Sequence, residues 1–284
     1  MIIWFLCSDA CQAQSLWDKA KEKASAAWNS DLLNSRRYTV PVTERRFINV
    51  IPDSYLQQLS DQQYRSYLKS NSRSANASQT ARVKRVSQRL INAVKTLYKE
   101  NGREEELSAF KWEINLVKNS SYNAFCMPGG KIVVYDGILS VANDDASLAV
   151  VLGHEIAHAV AKHSAEQMTK RMVSVCGMAV VYAAISSSDM SSTKKEIAAL
   201  MAAAGVTLAD LKYSRLNETE ADRLGLILAA IAGYNPSSAI GFWERMAARS
   251  KWKSAHDWYS DHPSDTNRIS NIKEFIPEAN RYRR

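Results

Sequence analysis

His154, Glu155 and His158 fall within five residues, His154-Glu155-Ile156-Ala157-His158, inside the apolar run Leu148 to Ala161. On a helix, residues four apart share a face with roughly 5–6 Å between Cβ atoms, so the two imidazoles can grip one zinc ion. Glu155 lies about 100° round the helix from His154, where its carboxylate flanks the ion and can take a proton from a water held there. The same pattern also occurs in helices whose histidines merely cap or pack, so a third ligand decides between the readings. Glu218, Glu220 and Asp222 stand in Asn217-Glu218-Thr219-Glu220-Ala221-Asp222. Glu218 and Asp222 are four apart and share a face, whereas Glu220 lies about 200° away from Glu218. That pair suits one ligand and one carboxylate behind a ligand histidine, because a zinc-bound imidazole normally donates its other N–H to an acceptor. The plainer alternative is a solvated acidic helix start, favoured by the helix dipole.

The elements that must carry these groups are legible in outline. Val83, Val86, Leu90, Val94 and Leu97 recur at steps of three and four, which predicts an amphipathic helix from Ala81 to a stop at Asn101-Gly102. Phe110, Trp112, Ile114 and Leu116 alternate with polar residues, and Lys131 to Tyr135 follows the turn Pro128-Gly129-Gly130. These two stretches predict strands of a hairpin-like unit just before the helix bearing His154. After that helix, Met172 to Ile185 and Ile197 to Leu211 are apolar runs, both shorter than the ~20 residues of a spanning helix. The first is expected to be a buried or interfacial helix and the second another alanine-rich apolar helix. Arg65 to Gln79 is poor in hydrophobic residues and has the character of a linker. Met1 to Ser8 is apolar but lacks the positive start of a complete signal peptide. It is expected to be the remnant of a signal or lipoprotein leader. The organisation expected is therefore a leader remnant over 1–14, an extension and linker over 15–78, and the main domain over 79–284.

The 284 residues are 46% hydrophobic and 23% charged, values near those of globular proteins that argue against wholesale disorder. The net charge of +8 comes from lysines and arginines scattered over amphipathic segments, and no nucleic-acid-binding motif accompanies them. No nucleic-acid partner is expected. Four cysteines at 7, 11, 126 and 176 show no Cys-x-x-Cys spacing. Whether Cys7 or Cys11 is lipidated, and whether Cys126 pairs with Cys176, is left open by the sequence.

His154-Glu155-x-x-His158, followed by Ser214-Arg215-x-x-Glu218-x-x-x-Asp222, is joined by Asn123-Ala124-Phe125 with Pro128-Gly129-Gly130 upstream and by His262-Pro263-Ser264 with Arg268-Ile269 downstream. These four motifs, in this order between about Ala81 and Ile269, resemble metallopeptidase family forty-eight. That family comprises the HtpX- and BepA-like zinc peptidases and includes the CAAX prenyl endopeptidases. The resemblance implies a mostly helical α+β zincin-like domain with a small β-sheet beside the active-site helix. It implies one zinc per chain on His154, His158 and Glu218, with Asp222 behind a histidine and Glu155 as the general base. His262 and Arg268 are implied as catalytic assistants, His262 either stabilising the oxyanion or resting on zinc. Asn123, Ala124 and Phe125 are the implied edge for a polypeptide substrate. Positions 161 and 164 are Ala and Ser, so the longer metzincin pattern is absent. His163, five residues past His158, points away from the bite and is expected to support a ligand from behind or simply to pack. The function expected is hydrolysis of peptide bonds in unfolded or misassembled envelope proteins, and the alternative is a metal-containing chaperone or binding module without proteolysis. The location expected is exported, periplasmic or lipid-anchored at a bacterial membrane through the amino terminus.

Overall fold

The computed structural model describes residues 31–177, 190–203, 211–249 and 267–283, together with Val181, Ile185, Gly205, Leu208 and His262. The leader remnant expected over 1–14 lies outside the described residues.

The fold is built round helix α4. Along the chain come α1 (Asp31–Ser35), β1 (Arg37–Thr39), β2 (Arg46–Ile48), α2 (Asp53–Ser70), α3 (Ala77–Glu100), β3 (Glu113–Val117), β4 (Ala124–Met127) and β5 (Lys131–Tyr135). They are followed by α4 (Asp145–Val160), α5 (His163–Cys176), α6 (Met190–Ala203), α7 (Arg215–Ile231), α8 (Ser238–Arg249) and α9 (Arg268–Arg281). Helices dominate and the sheets are small, as expected of the α+β class. The Asp144 side chain caps α4 by accepting from Ser147 N at 2.7 Å, which satisfies one of the amides left open by the first turn. From Ser147 to Val160 every residue of α4 is buried. A helix apolar on all sides belongs inside the core, and α4 is covered by α3, α7, α8 and β4. The two histidines and Glu155 therefore sit on the most enclosed helix of the fold.

The expected helix from Ala81 is α3, whose buried stripe includes Val83, Val86, Leu90, Val94 and Leu97 and whose end is capped at Asn101. The stretch expected to be a linker over 65–79 is largely helical, since α2 runs to Ser70 and α3 begins at Ala77. Only Leu56, Ser60 and Tyr64 of α2 are buried. A stripe so narrow and partly polar gives little periodic signal. The hairpin-like pairing of 110–117 with 131–135 is corrected as well. β3 runs parallel to β5, and the antiparallel partner of β5 is β4. The sheet order β3-β5-β4 leaves β4 as an outer strand, lying against α4. Gly129 and Gly130, with φ of 78° and 89°, make the β4–β5 turn in a conformation that favours glycine. The start of the Met172–Ile185 run belongs to α5 and the start of the Ile197–Leu211 run to α6; most of what remains of each lies outside the described residues.

α4 and α7 cross at a pair of glycines. A Cβ added to Gly153 would lie 2.7 Å from the Gly225 carbonyl oxygen, and one added to Gly225 would lie 2.7 Å from His154 N. This near-contact of backbones sets His154 opposite Asp222, one turn before Gly225. Gly225→Ala would gain about 1 kcal/mol of helix propensity but must push two backbones apart, an overpacking cost of about 1–3 kcal/mol. The clash outweighs the propensity gain because the obstructing atoms are backbone. Gly225→Ala is expected to lower the melting temperature by roughly 2–8 °C and to weaken metal binding. An unchanged melting curve would show that the crossing has slack.

Candidate metal centre

α4 brings His154 and His158 to one face, α7 brings Glu218 and Asp222, and His262 joins them from the segment before α9. Glu218 sits in the first turn of α7, where the helix dipole favours a carboxylate. The turn is fixed by a capping box between Ser214 and Asn217.

One ligand atom from each of His154, His158, Glu218 and His262 lies within 4.8 Å of the other three, and all four residues are buried. His158 Nε2 stands 3.0 Å from His154 Nε2 and 3.4 Å from Glu218 Oε1. His262 Nδ1 is 3.0 Å from Glu218 Oε1 and 3.4 Å from His154 Nε2. Imidazole nitrogens and a carboxylate oxygen converging on one point form a donor set suited to zinc. Behind His154, Nδ1 meets Asp222 Oδ1 at 2.9 Å, the contact that orients a ligand imidazole.

The electrostatics fit a cation at this point. Burial works to raise the Glu218 carboxyl, but the neighbouring histidines outweigh it and hold the group well below the usual range. Burial, followed by the repulsion of His154, pushes His158 well below its ordinary value. Anionic Glu218 and neutral His158 are the forms that coordinate a metal. Burial also works to lower His154, but its bonds to Asp222 and Glu218 overcome it and bring the ring up to about 9. Binding a cation there displaces a proton. Burial pushes the Glu155 carboxyl up to about 7. Its Oε1 has no hydrogen-bond partner among the described residues, the nearest cationic candidate being His262 Nε2 at 3.6 Å.

Glu155 and His262 line a cavity of about 250 Å³ that also receives β4, Tyr67 and Tyr213. Asn123 is buried immediately before β4, and Ala124 and Phe125 open the strand. The structure thus brings the expected edge residues beside Glu155. Cys126, on the same strand, is buried, and both Cys126 and Cys176 are unpaired.

Arg268 stands behind the cluster rather than over the cavity. Its Nη2 donates to Asp222 Oδ1 at 2.6 Å, its Nη1 is 3.5 Å from Glu218 Oε2, and its guanidinium lies 3.6 Å from the centre of the Trp243 ring. Tyr213 stacks on His158 with ring centres 4.0 Å apart and donates to or accepts from Ser164 Oγ at 3.1 Å. Neither Trp243 nor Tyr213 stands out in the sequence, because their partners are reached only through the fold. His163 stays out of the donor cluster and lies behind His158, by a route that spacing alone does not show. The chain leaves α4 at Ala161, takes a left-handed turn at Lys162 (φ 57°) and starts α5 at His163. A continuous helix would carry His163 away, but this break folds it back onto His158, with the two Nδ1 atoms 2.8 Å apart.

A model of peptidase family M48 matches residues 77–276. The mitochondrial metalloendopeptidase OMA1 of Schizosaccharomyces pombe is 39% identical over 174 residues, which cover 61% of this chain and 49% of that protein. The protein of the same description from Saccharomyces cerevisiae is 33% identical over 199 residues, covering 67% of this chain and 54% of its own length. A putative beta-barrel assembly-enhancing protease of Vibrio cholerae is 29% identical over 161 residues, covering 56% of this chain and 33% of that protein. The chain thus spans about half the length of the two yeast relatives. The expected exported, periplasmic or lipid-anchored bacterial location is corrected by these matches, since the relatives at 39% and 33% identity are mitochondrial proteins. Among the described residues no helix is long and apolar enough to cross a membrane.

Proposed function

The chain belongs to peptidase family M48, and on that premise we propose that it is a zinc-dependent endopeptidase that cuts extended polypeptide lying along β4. The observation that carries this reading is the Glu155 carboxylate, buried, without a hydrogen bond at Oε1 and lining one cavity together with His262 of the donor cluster and an outer strand. A carboxylate that served only packing would be hydrogen-bonded at both oxygens, because a buried acid without such bonds is costly.

His154, His158 and Glu218 hold the zinc, with Asp222 orienting His154. When bound, zinc supplies Lewis acidity toward the scissile carbonyl and toward water. The substrate main chain pairs with β4 through Asn123, Ala124 and Phe125, as extended peptides do on a sheet edge. Glu155 accepts a proton from the attacking water as the new C–O bond forms, and passes it to the nitrogen as the C–N bond breaks. Its proton affinity, raised by burial to about 7, suits both transfers near neutral pH. Arg268 acts through Asp222 and His154 instead of touching substrate. The peptidase domain occupies 79–284, and the 15–78 extension packs on it through residues 31–70. Substrates are unfolded or misassembled chains, because a natively folded protein seldom offers a free extended segment. The mitochondrial setting of the yeast relatives is carried over as part of this proposal.

His262 supplies a fourth donor, whereas a catalytic zinc site keeps one position open. His262→Ala is therefore expected to keep its zinc and to raise kcat/KM on a small peptide several-fold; a fall would assign His262 to the oxyanion. The test of the whole reading is cleavage of a denatured model protein, abolished by a chelator and restored by zinc. Zinc binding without any cleavage would favour the non-proteolytic alternative.

A further inference from the structure

His154 has its orienting carboxylate in direct contact, but His158 does not. Its Nε2 faces the cluster, and its Nδ1 faces another imidazole, His163. His163 is fully buried, and its Nε2 lies 2.9 Å from Glu220 Oε2. Glu220 is gripped in turn from the other end of the sequence. Arg45, in the turn between β1 and β2, donates from Nε to Glu220 Oε2 at 2.7 Å and from Nη1 and Nη2 to Glu166 at 3.0 and 2.8 Å. Thr43, in the same turn, bonds the other Glu220 oxygen.

From these contacts we propose that His163 and Glu220, clamped by Arg45, are positioning residues for His158, which makes the β1–β2 turn part of the metal centre. The proposal rests on the reading of His158 as a zinc ligand.

The protons can be assigned along the row. The Glu220 carboxylate is met by donors from Arg45 and Thr43. It can only accept, so a neutral His163 carries its proton on Nε2 and offers its Nδ1 lone pair to His158. Two facing nitrogens need one proton between them, so His158 carries it on Nδ1. The lone pair of His158 Nε2 is then free for the metal. Without His163, nothing on this row would hold His158 in that tautomer. Arg45 balances two buried carboxylates that would otherwise repel each other at the far end. The two ligand histidines thereby have parallel supports, Asp222 with Arg268 behind His154 and, one imidazole further out, Glu220 with Arg45 behind His158. Glu220 points to the opposite side of α7 from Glu218, as helix geometry requires, and that is why it serves the second histidine and not the cluster.

The test is zinc affinity by chelator competition in the full chain, read beside the visible spectrum of the cobalt(II)-substituted protein and the melting curve of the metal-free form. His163→Phe is expected to weaken zinc binding by about 10- to 100-fold and to alter the cobalt bands. His163→Gln, whose amide oxygen can accept from His158 Nδ1, is expected to recover most of the affinity and also serves as a folded control. Glu220→Gln and Arg45→Met are expected to give smaller losses of the same kind. Wild-type affinity and an unchanged cobalt spectrum in His163→Phe, beside a large loss in His158→Ala, would overturn the positioning role alone. Unchanged zinc binding in His158→Ala would overturn the ligand reading beneath it.

Discussion

Glu155→Gln is expected to keep one zinc per chain while its kcat on a denatured protein falls by about 10²- to 10⁴-fold, the usual weight of a general base. The amide has nearly the shape of the carboxylate, so α4, buried along nearly its whole length, need not repack. None of the four donor atoms belongs to residue 155, so metal content should be indifferent to the change. The melting temperature should hold or rise, since a buried acid pushed up to about 7 by desolvation is replaced by a neutral group. The expected combination is a full metal site, an intact fold and almost no turnover, measured by metal analysis, calorimetry and peptide-bond hydrolysis on one preparation. Substantial cleavage by this variant would remove Glu155 from the chemistry and turn attention to His262 and Tyr213, which line the same cavity.

The groupings legible from sequence order are those whose members lie within one helix turn. His154 and His158 share a face because four residues make one turn, and the same rule separates Glu218 and Asp222 from Glu220. The run Val83 to Leu97 gives α3 for a similar reason, as its stripe is wide and aliphatic. Where a contact depends on a break in a helix, or on a distant partner that no motif marks, the sequence is silent. Lys162 is not a glycine or a proline, so the left-handed turn that folds His163 onto His158 has no local signature. Arg45 lies 121 residues from Glu166 and 175 from Glu220, and nothing in its neighbourhood announces that pairing. Strand periodicity shows β3 and β5 without showing that they run parallel, because the order of strands in a sheet is decided by what packs on it. α2 escapes for want of apolar residues, its buried positions being one leucine, one serine and one tyrosine. The shared faces of the clustered donors are thus legible from spacing, and most of the groups packed behind them are legible only from the fold.

Glu218→Ala tests the centre from the opposite side, and its expected effect is loss of the metal itself. Glu218 contributes the anionic member of the four-donor set, within 3.5 Å of His154, His158 and His262. Removing it leaves three imidazoles beside the Arg268 guanidinium, with Asp222 already engaged by both His154 and Arg268. Those imidazoles lie too close together to carry several protons without repulsion. A dication brought to them would lack its neutralising ligand in a buried, poorly hydrated place. Zinc per chain after dialysis is expected to fall from about one to near zero, with activity at background. Asp222→Asn, which disturbs the support and not the ligand, should lose only about 10- to 100-fold in affinity and regain activity at high zinc. Added zinc should rescue Asp222→Asn and not Glu218→Ala. A Glu218→Ala chain that still holds one zinc would mean that His262 completes a three-histidine site, and Glu218 would then be a partner of the ligand imidazoles instead of a ligand.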